Sequence, residues 1–196
     1  AVQSTLDAMH DRGIALDPTI GIHENLLLNR DGRIAPGAVD YFEHMPIGVQ
    51  RDLKQAWSNP DTFGGDESAR VAFEKLMDLL RRARNKGIFI VPGTDTGGSF
   101  TYHRELELLV NAGFTPAEAL ARATLETARY LGVDGTTGSI ERGKLADFFL
   151  VPDDPTKDIK ELKSIALVAK DGVFYLPAEV YPRLGIKPFA AASVLR

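Results

Sequence analysis

Apolar positions recur with two different periods along the chain, and the switches between them mark its elements. Over Ser68–Lys86 the residues Val71, Phe73, Leu76, Met77, Leu79 and Leu80 fall at helical i, i+3, i+4 spacing, with Arg81, Arg82, Arg84 and Lys86 towards the end. Gly87 stops that helix, and Ile88-Phe89-Ile90-Val91 follows as a continuous β-branched and aromatic run, the pattern of a buried strand. The same order, helix then glycine then short strand, opens the chain. Val2 to Met9 reads as an amphipathic helix ending near Arg12-Gly13, and Ile14 to Ile20 is a short strand candidate interrupted by Pro18. Alternation of this kind implies βα units and a parallel sheet.

Between the two strand candidates lies a connection from about Leu26 to Glu67. It carries turn signals at Asp31-Gly32, Pro36-Gly37, Asn59-Pro60 and Gly64-Gly65, and a short helical patch near Val49 to Trp57. Tyr41, Phe42, Trp57 and Phe63 speak against disorder, so it reads as an ordered loop over one end of the sheet. Downstream, Tyr102 to Ala112 is a helix closed by Gly113. Thr115-Pro116-Ala117-Glu118 then supplies a capping box, with proline at the first helical position, for a helix running to about Tyr130. After Val133 the period shortens. Asp147–Val151 and Ile165–Ala169 are short apolar runs, and Asp171-Gly172 ahead of Val173-Phe174-Tyr175 is a strong hairpin signal.

Composition narrows the chemistry. A net charge of −4 argues against a nucleic-acid partner, since phosphate binding needs a basic face. No apolar run approaches the ~20 residues that span a bilayer. The absence of cysteine excludes disulfides and thiolate metal sites, so a metal here must use His, Asp or Glu, while the compartment stays open. The chain also opens inside an element, which suggests a piece of something longer.

The candidate chemistry centres on Pro92-Gly93-Thr94-Asp95, where the buried run ends and a glycine pair follows. In a parallel α/β protein, sites form at the C-terminal ends of strands. A turn-forming Asp and a site carboxylate both fit Asp95. His23 follows the first strand candidate by three residues, where a strand would deliver side chains to a site mouth, and reads either as a substrate contact or as a packed or solvated loop histidine. His10 suits a helix C-terminus, His44 a solvated loop and His103 a helix start. A phosphate cradle at Thr94–Gly98 lacks the usual lysine. Glu105 and Glu107 read as a charged helix start placed to complement the dipole.

The run GTDTGG, then HRELELLVNAGFTPAEALARATLETARYLGV, then GSIERGKLADFFLV, resembles the C-terminal part of the metal-dependent amidohydrolase superfamily, in its imidazolonepropionase- and prolidase-like branch. The resemblance implies an α/β fold: the last part of a (β/α)8 TIM-type barrel over residues 1–133, and the C-terminal part of a small β-sandwich module with a tail over 134–196. It implies a hydrolase acting on an amide or cyclic amide C–N bond through a metal-activated water. Asp95 would then be both a ligand of the divalent metal, most naturally zinc, and the proton shuttle. The family's other ligands, a His-x-His pair among them, lie upstream of the matched region, and this sequence has no His-x-His. Activity is therefore expected to require upstream residues, and this chain alone is expected to hold no zinc tightly. The expected partners are a small-molecule or dipeptide-like substrate, the upstream part of the same protein and a second copy in a homo-oligomer. The rival expectation is a non-catalytic scaffold or binding chain that has lost its metal.

Overall fold

The computed structural model describes residues 1–190, which divide into two compact units, one formed by Ala1–Val39 with Leu53–Phe114, the other by Asp40–Asp52 with the chain from Thr115 onward. The end of the expected C-terminal tail, residues 191–196, lies outside the described residues.

In the first unit, α1 (Val2–Asp11) ends ahead of Gly13, whose φ of 63° is the left-handed geometry that glycine adopts freely. The chain then touches its parallel neighbour: Leu16 pairs with Ile90, its N–H donating to Phe89 O at 2.8 Å while the Val91 N–H donates to Leu16 O at 2.9 Å. The two expected strands are thus parallel neighbours, but their pairing is confined to one bridge. Ile20 already belongs to a helix, α2 (Ile20–Leu28), where the sequence pattern suggests strand and loop. The long connection is ordered as short turns of 3-10 helix, and its stretch Asp40–Asp52, which carries α3 (Ile47–Asp52), belongs to the second unit.

Helix α4 (Asp66–Asn85) buries Ala69, Phe73, Met77, Leu80 and Ala83, successive members of one helical face. Val71, expected on that face, points to solvent at 40% exposure. Asp66 and Glu67 in its first turn and Arg82 and Arg84 in its last turn complement the helix dipole. Helix α5 (Ser99–Asn111) follows the glycine pair, and α2 packs against both α4 and α5.

In the second unit, the Thr115 hydroxyl accepts the Glu118 N–H at 3.2 Å, and Glu118 accepts the Thr115 N–H at 2.7 Å, closing the expected capping box of α6 (Pro116–Ala121). The helix continues through a π-helical turn over Arg122–Glu126 into α7 (Thr127–Tyr130). The Thr127 hydroxyl donates to Arg122 O, five residues back, at 2.5 Å.

β1 (Phe148–Leu150), β2 (Leu167–Lys170) and β3 (Val173–Tyr175) form an antiparallel sheet in the order β1-β2-β3, with Phe149 opposite Val168 and Lys170 opposite Val173. Asp171 and Gly172, at φ 51° and 77°, make the two-residue turn of the β2–β3 hairpin, a primed geometry matched to strand twist. Asp147 braces that turn, accepting Lys170 Nζ at 2.6 Å and the Asp171 N–H at 3.0 Å. A Cβ at Gly138 would lie 2.7 Å from Ala128 Cβ, so the glycine lets its loop close on α7. Among the described residues this unit holds one sheet, and α8 (Pro177–Arg183) follows it. Among the described residues, no helix is long and apolar enough to cross a membrane.

Candidate active site

Just beyond the Leu16–Ile90 bridge both segments turn sharply, and each does so through a non-glycine residue in the left-handed region: Thr19 at φ 42°, and Asp95 at φ 49°. Aspartate tolerates this geometry because its short side chain satisfies nearby backbone. A β-branched threonine does not, and such conformations persist only where surrounding structure holds them. Asp95 is exposed at the strand end, while the Thr94 hydroxyl donates to Thr96 O at 2.8 Å and steadies the turn.

What holds Thr19 comes from α5. Thr19 occupies the N-cap position of α2 yet offers no side-chain cap. The first two amides of α2 instead donate to the carboxylate of Glu105, Ile20 N–H to Oε1 at 3.1 Å and Gly21 N–H to Oε2 at 2.8 Å. Glu105 is fully buried, at 0% exposure. Burial pushes its carboxyl up to about 7; the two amides oppose that shift, and the charges of Asp17 and Glu24 add to it.

The adjacent Arg104 forks onto Glu24 of α2, Nε to Oε2 at 2.8 Å and Nη2 to Oε1 at 2.7 Å, and gives its third hydrogen bond to Glu107 at 2.7 Å. Burial works against the guanidinium charge, but the two carboxylates more than offset it and hold Arg104 above the ordinary arginine value. Gly37 is the floor of this network: a Cβ there would sit 2.9 Å from Arg104 Cγ.

Asp17, the residue after the bridge, sits against Gly93 so closely that a Cβ at 93 would collide with its carboxylate. Partial burial raises the Asp17 pKa, the Thr19 N–H opposes the rise, and the negative charge of Asp95 adds to it. Tyr102 of α5 is likewise raised, by burial and then by the charges of Glu105 and Asp17. The strand ends therefore gather Asp95, Asp17, Glu105 and Tyr102 into one electrostatic neighbourhood.

His23 lies inside α2, not in a loop after a strand, half-buried on the helix that Glu105 anchors. Among the described residues no hydrogen bond or ion pair joins it to Asp95. His103 lies on α5 with its ring 6.2 Å from that of Phe100, and His10 ends α1 as expected. His44 packs in the second unit instead of being solvated: its ring stacks on Phe189 at 3.8 Å, and Nδ1 lies 2.8 Å from Lys187 O.

Glu105 and Glu107 are buried at 0% and 5% exposure and lie beyond the first turn of α5, so they are not a charged helix start complementing the dipole. The signal was available for Glu105, because Leu108, Leu109 and Ala112 follow it at i+3, i+4 and i+7 on one buried face. For Asp17, the clue is an apolar run ending in Asp just as the run before Asp95 does.

A carboxylate on an exposed strand end is a hard oxygen donor suited to a divalent ion. Among the described residues, however, no group of three or more His, Asp or Glu side chains is arranged to hold one, so Asp95 is a single donor and these residues by themselves do not make a metal centre.

The model of the family described as "Amidohydrolase family" matches residues 31–174. The chain is 39% identical over 116 residues to imidazolonepropionase of Pseudomonas aeruginosa strain UCBPP-PA14, covering 57% of this chain and 28% of that protein. It is also 39% identical over 77 residues to imidazolonepropionase of Pseudomonas paraeruginosa strain DSM 24068 / PA7, covering 37% of this chain and 18% of that protein. A crystal structure of a Xaa-Pro dipeptidase with methionine bound in its active site superposes with a TM-score of 0.62 at 28% identity, over 88% of this chain and 37% of that one. The chain thus spans under a third of these curated relatives' length.

Proposed function

This chain belongs to the amidohydrolase family, and from that premise we propose that it is the C-terminal portion of a hydrolase cleaving a carbon–nitrogen bond, an amide or a cyclic amide. The observation that carries the reading is the exposed carboxylate of Asp95, held at positive φ where a parallel-paired segment ends. The imidazolonepropionase and dipeptidase likenesses support a small substrate, either an imidazolone-like ring or a proline-containing dipeptide. In this reading residues 1–133 are the last βα units of a TIM-type barrel, and 134–196 belong to a β-sandwich module. The rest of the barrel comes from residues outside this chain, which matches only 37% of the dipeptidase chain.

Asp95 takes a proton from the attacking water and returns it to the departing nitrogen, so the C–N bond breaks without expelling an unstable amide anion. His23 is our assignment for a substrate contact. The chemistry a bound divalent ion supplies here is polarisation of the scissile carbonyl. Asp95 would be one of its ligands, with zinc our choice of ion, and the other ligands would come from outside this chain.

The test is Asp95→Asn in the complete polypeptide, assayed on Met-Pro and on a cyclic imidazolone. Turnover should fall by at least ~10²-fold, the scale of losing a positioned acid–base group, with folding retained. Near-normal turnover of the variant would reduce Asp95 to a turn residue. No turnover by the unmodified polypeptide on either probe would favour a non-catalytic scaffold.

A further inference from the structure

Glu105 is a buried carboxylate that takes no part in the proton transfer proposed above, yet it is tied to the backbone of a segment 84 and 85 residues away. Its two oxygens take the first two amides of α2, one each. Those amides follow Thr19, the strained left-handed residue, which lacks a cap of its own. Two residues before Thr19 stands Asp17, pressed against Gly93 of the neighbouring segment. The helix carrying Glu105 itself begins just after Asp95-Thr96-Gly97-Gly98. One side chain thus spans from the element that follows the second strand end to the backbone that follows the first.

We infer that Glu105 is a positioning residue: its carboxylate clamps the 17–21 turn onto α5 and so sets where Asp17 stands relative to Asp95. The consequence for turnover rests on the hydrolase reading; the clamp itself does not. A capping side chain drawn from the same helix would fix only that helix. A cap drawn from α5 fixes the separation of the two strand ends. The groups facing Glu105 are Asp17 in the turn, Glu24 on α2 and Tyr102 on α5, while Arg104 is engaged by Glu24 and Glu107. The short turn Pro36–Ala38 that packs against α5 brings no titratable side chain.

The experiment uses the complete polypeptide, with 15N-labelled glycine and isoleucine. In the unmodified protein the Gly21 and Ile20 amide resonances should move together with one midpoint near 7 as their acceptor ionises. Resonances that are flat with pH and also unmoved by Glu105→Gln would overturn the clamp.

Glu105→Gln replaces one acceptor oxygen by a donor facing an N–H. Hydrogen-exchange protection at Ile20 and Gly21 should drop by at least ~10-fold, the effect of losing a hydrogen bond to a charged acceptor. Amides of α4 around Met77 should stay protected. Unchanged protection at Gly21 overturns the clamp. With Met-Pro or a cyclic imidazolone as probe, kcat should fall about 10- to 100-fold with KM nearly constant, as for displaced reacting groups. An unchanged kcat, in a protein that does turn over, overturns the positioning role. If the unmodified protein turns over neither probe, the hydrolase reading fails and the amide measurements alone decide the clamp.

Discussion

Replacing Arg104 with Met should be among the most damaging single changes available in the first unit. The guanidinium is 19% exposed and lies between Glu24 and Glu107, whose side chains are 4% and 6% exposed. Methionine keeps much of the stem that packs over Gly37 but removes the charge and three hydrogen bonds at 2.7–2.8 Å. Two carboxylates would then remain in a poorly solvated site without their shared cation. Removing one partner of a buried ion pair costs about 3–5 kcal/mol, a large part of the 5–15 kcal/mol that holds a typical domain folded.

The loss should depend on pH in a definite direction. Without Arg104, Glu24 and Glu107 stay in a poorly solvated site that penalises the ionised carboxylate and not the protonated one. The stability of the variant then falls as pH rises through the carboxylate range, so the deficit is largest at neutral pH and shrinks in acid. Urea unfolding followed by far-UV circular dichroism at pH 5 and pH 8 measures both effects; the single tryptophan, Trp57, is 47% exposed and a poor reporter of the core. Adding Glu24→Gln and Glu107→Gln to the variant should recover much of the loss. A deficit under ~1 kcal/mol at pH 8, within the range of an exposed pair, would refute the argument, as would equal deficits at the two pH values.

Two further outcomes follow from the strand ends. Glu105 is raised from 4.5 to about 7 on folding, so its contribution to stability is present below the lower value and fades as pH rises towards the upper, by up to about 3 kcal/mol; the pH dependence of unfolding should differ between the unmodified protein and Glu105→Gln in that window, and coincident profiles would contradict it. Gly93→Ala should destabilise by about 1–3 kcal/mol through the clash with Asp17, and a double variant with Asp17→Ala should recover most of that; strictly additive losses would mean the clash is not the cause.

The parts of the fold that were legible in the sequence are those whose determinants are local. The capping box at Thr115 and Glu118 spans four residues, the Asp171-Gly172 turn needs only two, and the buried stripe of α4 repeats over 20. The start of α2 was not legible, because its cap is Glu105: Thr19 is an N-cap residue type, but no acidic residue stands in the first turn behind it and Ile20-Gly21 after Pro18 continue an apolar run. His23 was misplaced into a loop for the same reason. Asp95 stood out because a buried apolar run stops at it. Its neighbours Asp17 and Glu105 did not, since what joins them is folding in space. The charge of Glu105 masked a position whose helical spacing belongs to the core.

The π-helical turn at Arg122–Glu126 bears on how this chain should be aligned with other sequences. Such a turn closes its hydrogen bonds over five residues instead of four, so it takes up one residue more than regular α-helix does. A relative one residue shorter between Ala121 and Thr127 would have an uninterrupted helix there and still keep the faces of α6 and α7 on their present neighbours. In a comparison of sequences, a single-residue gap inside this segment is therefore no sign of a loop. Moving that gap outside the segment, to keep the helix continuous on paper, would rotate every later position by about 100° and pair buried Ala128 with a solvent-facing residue.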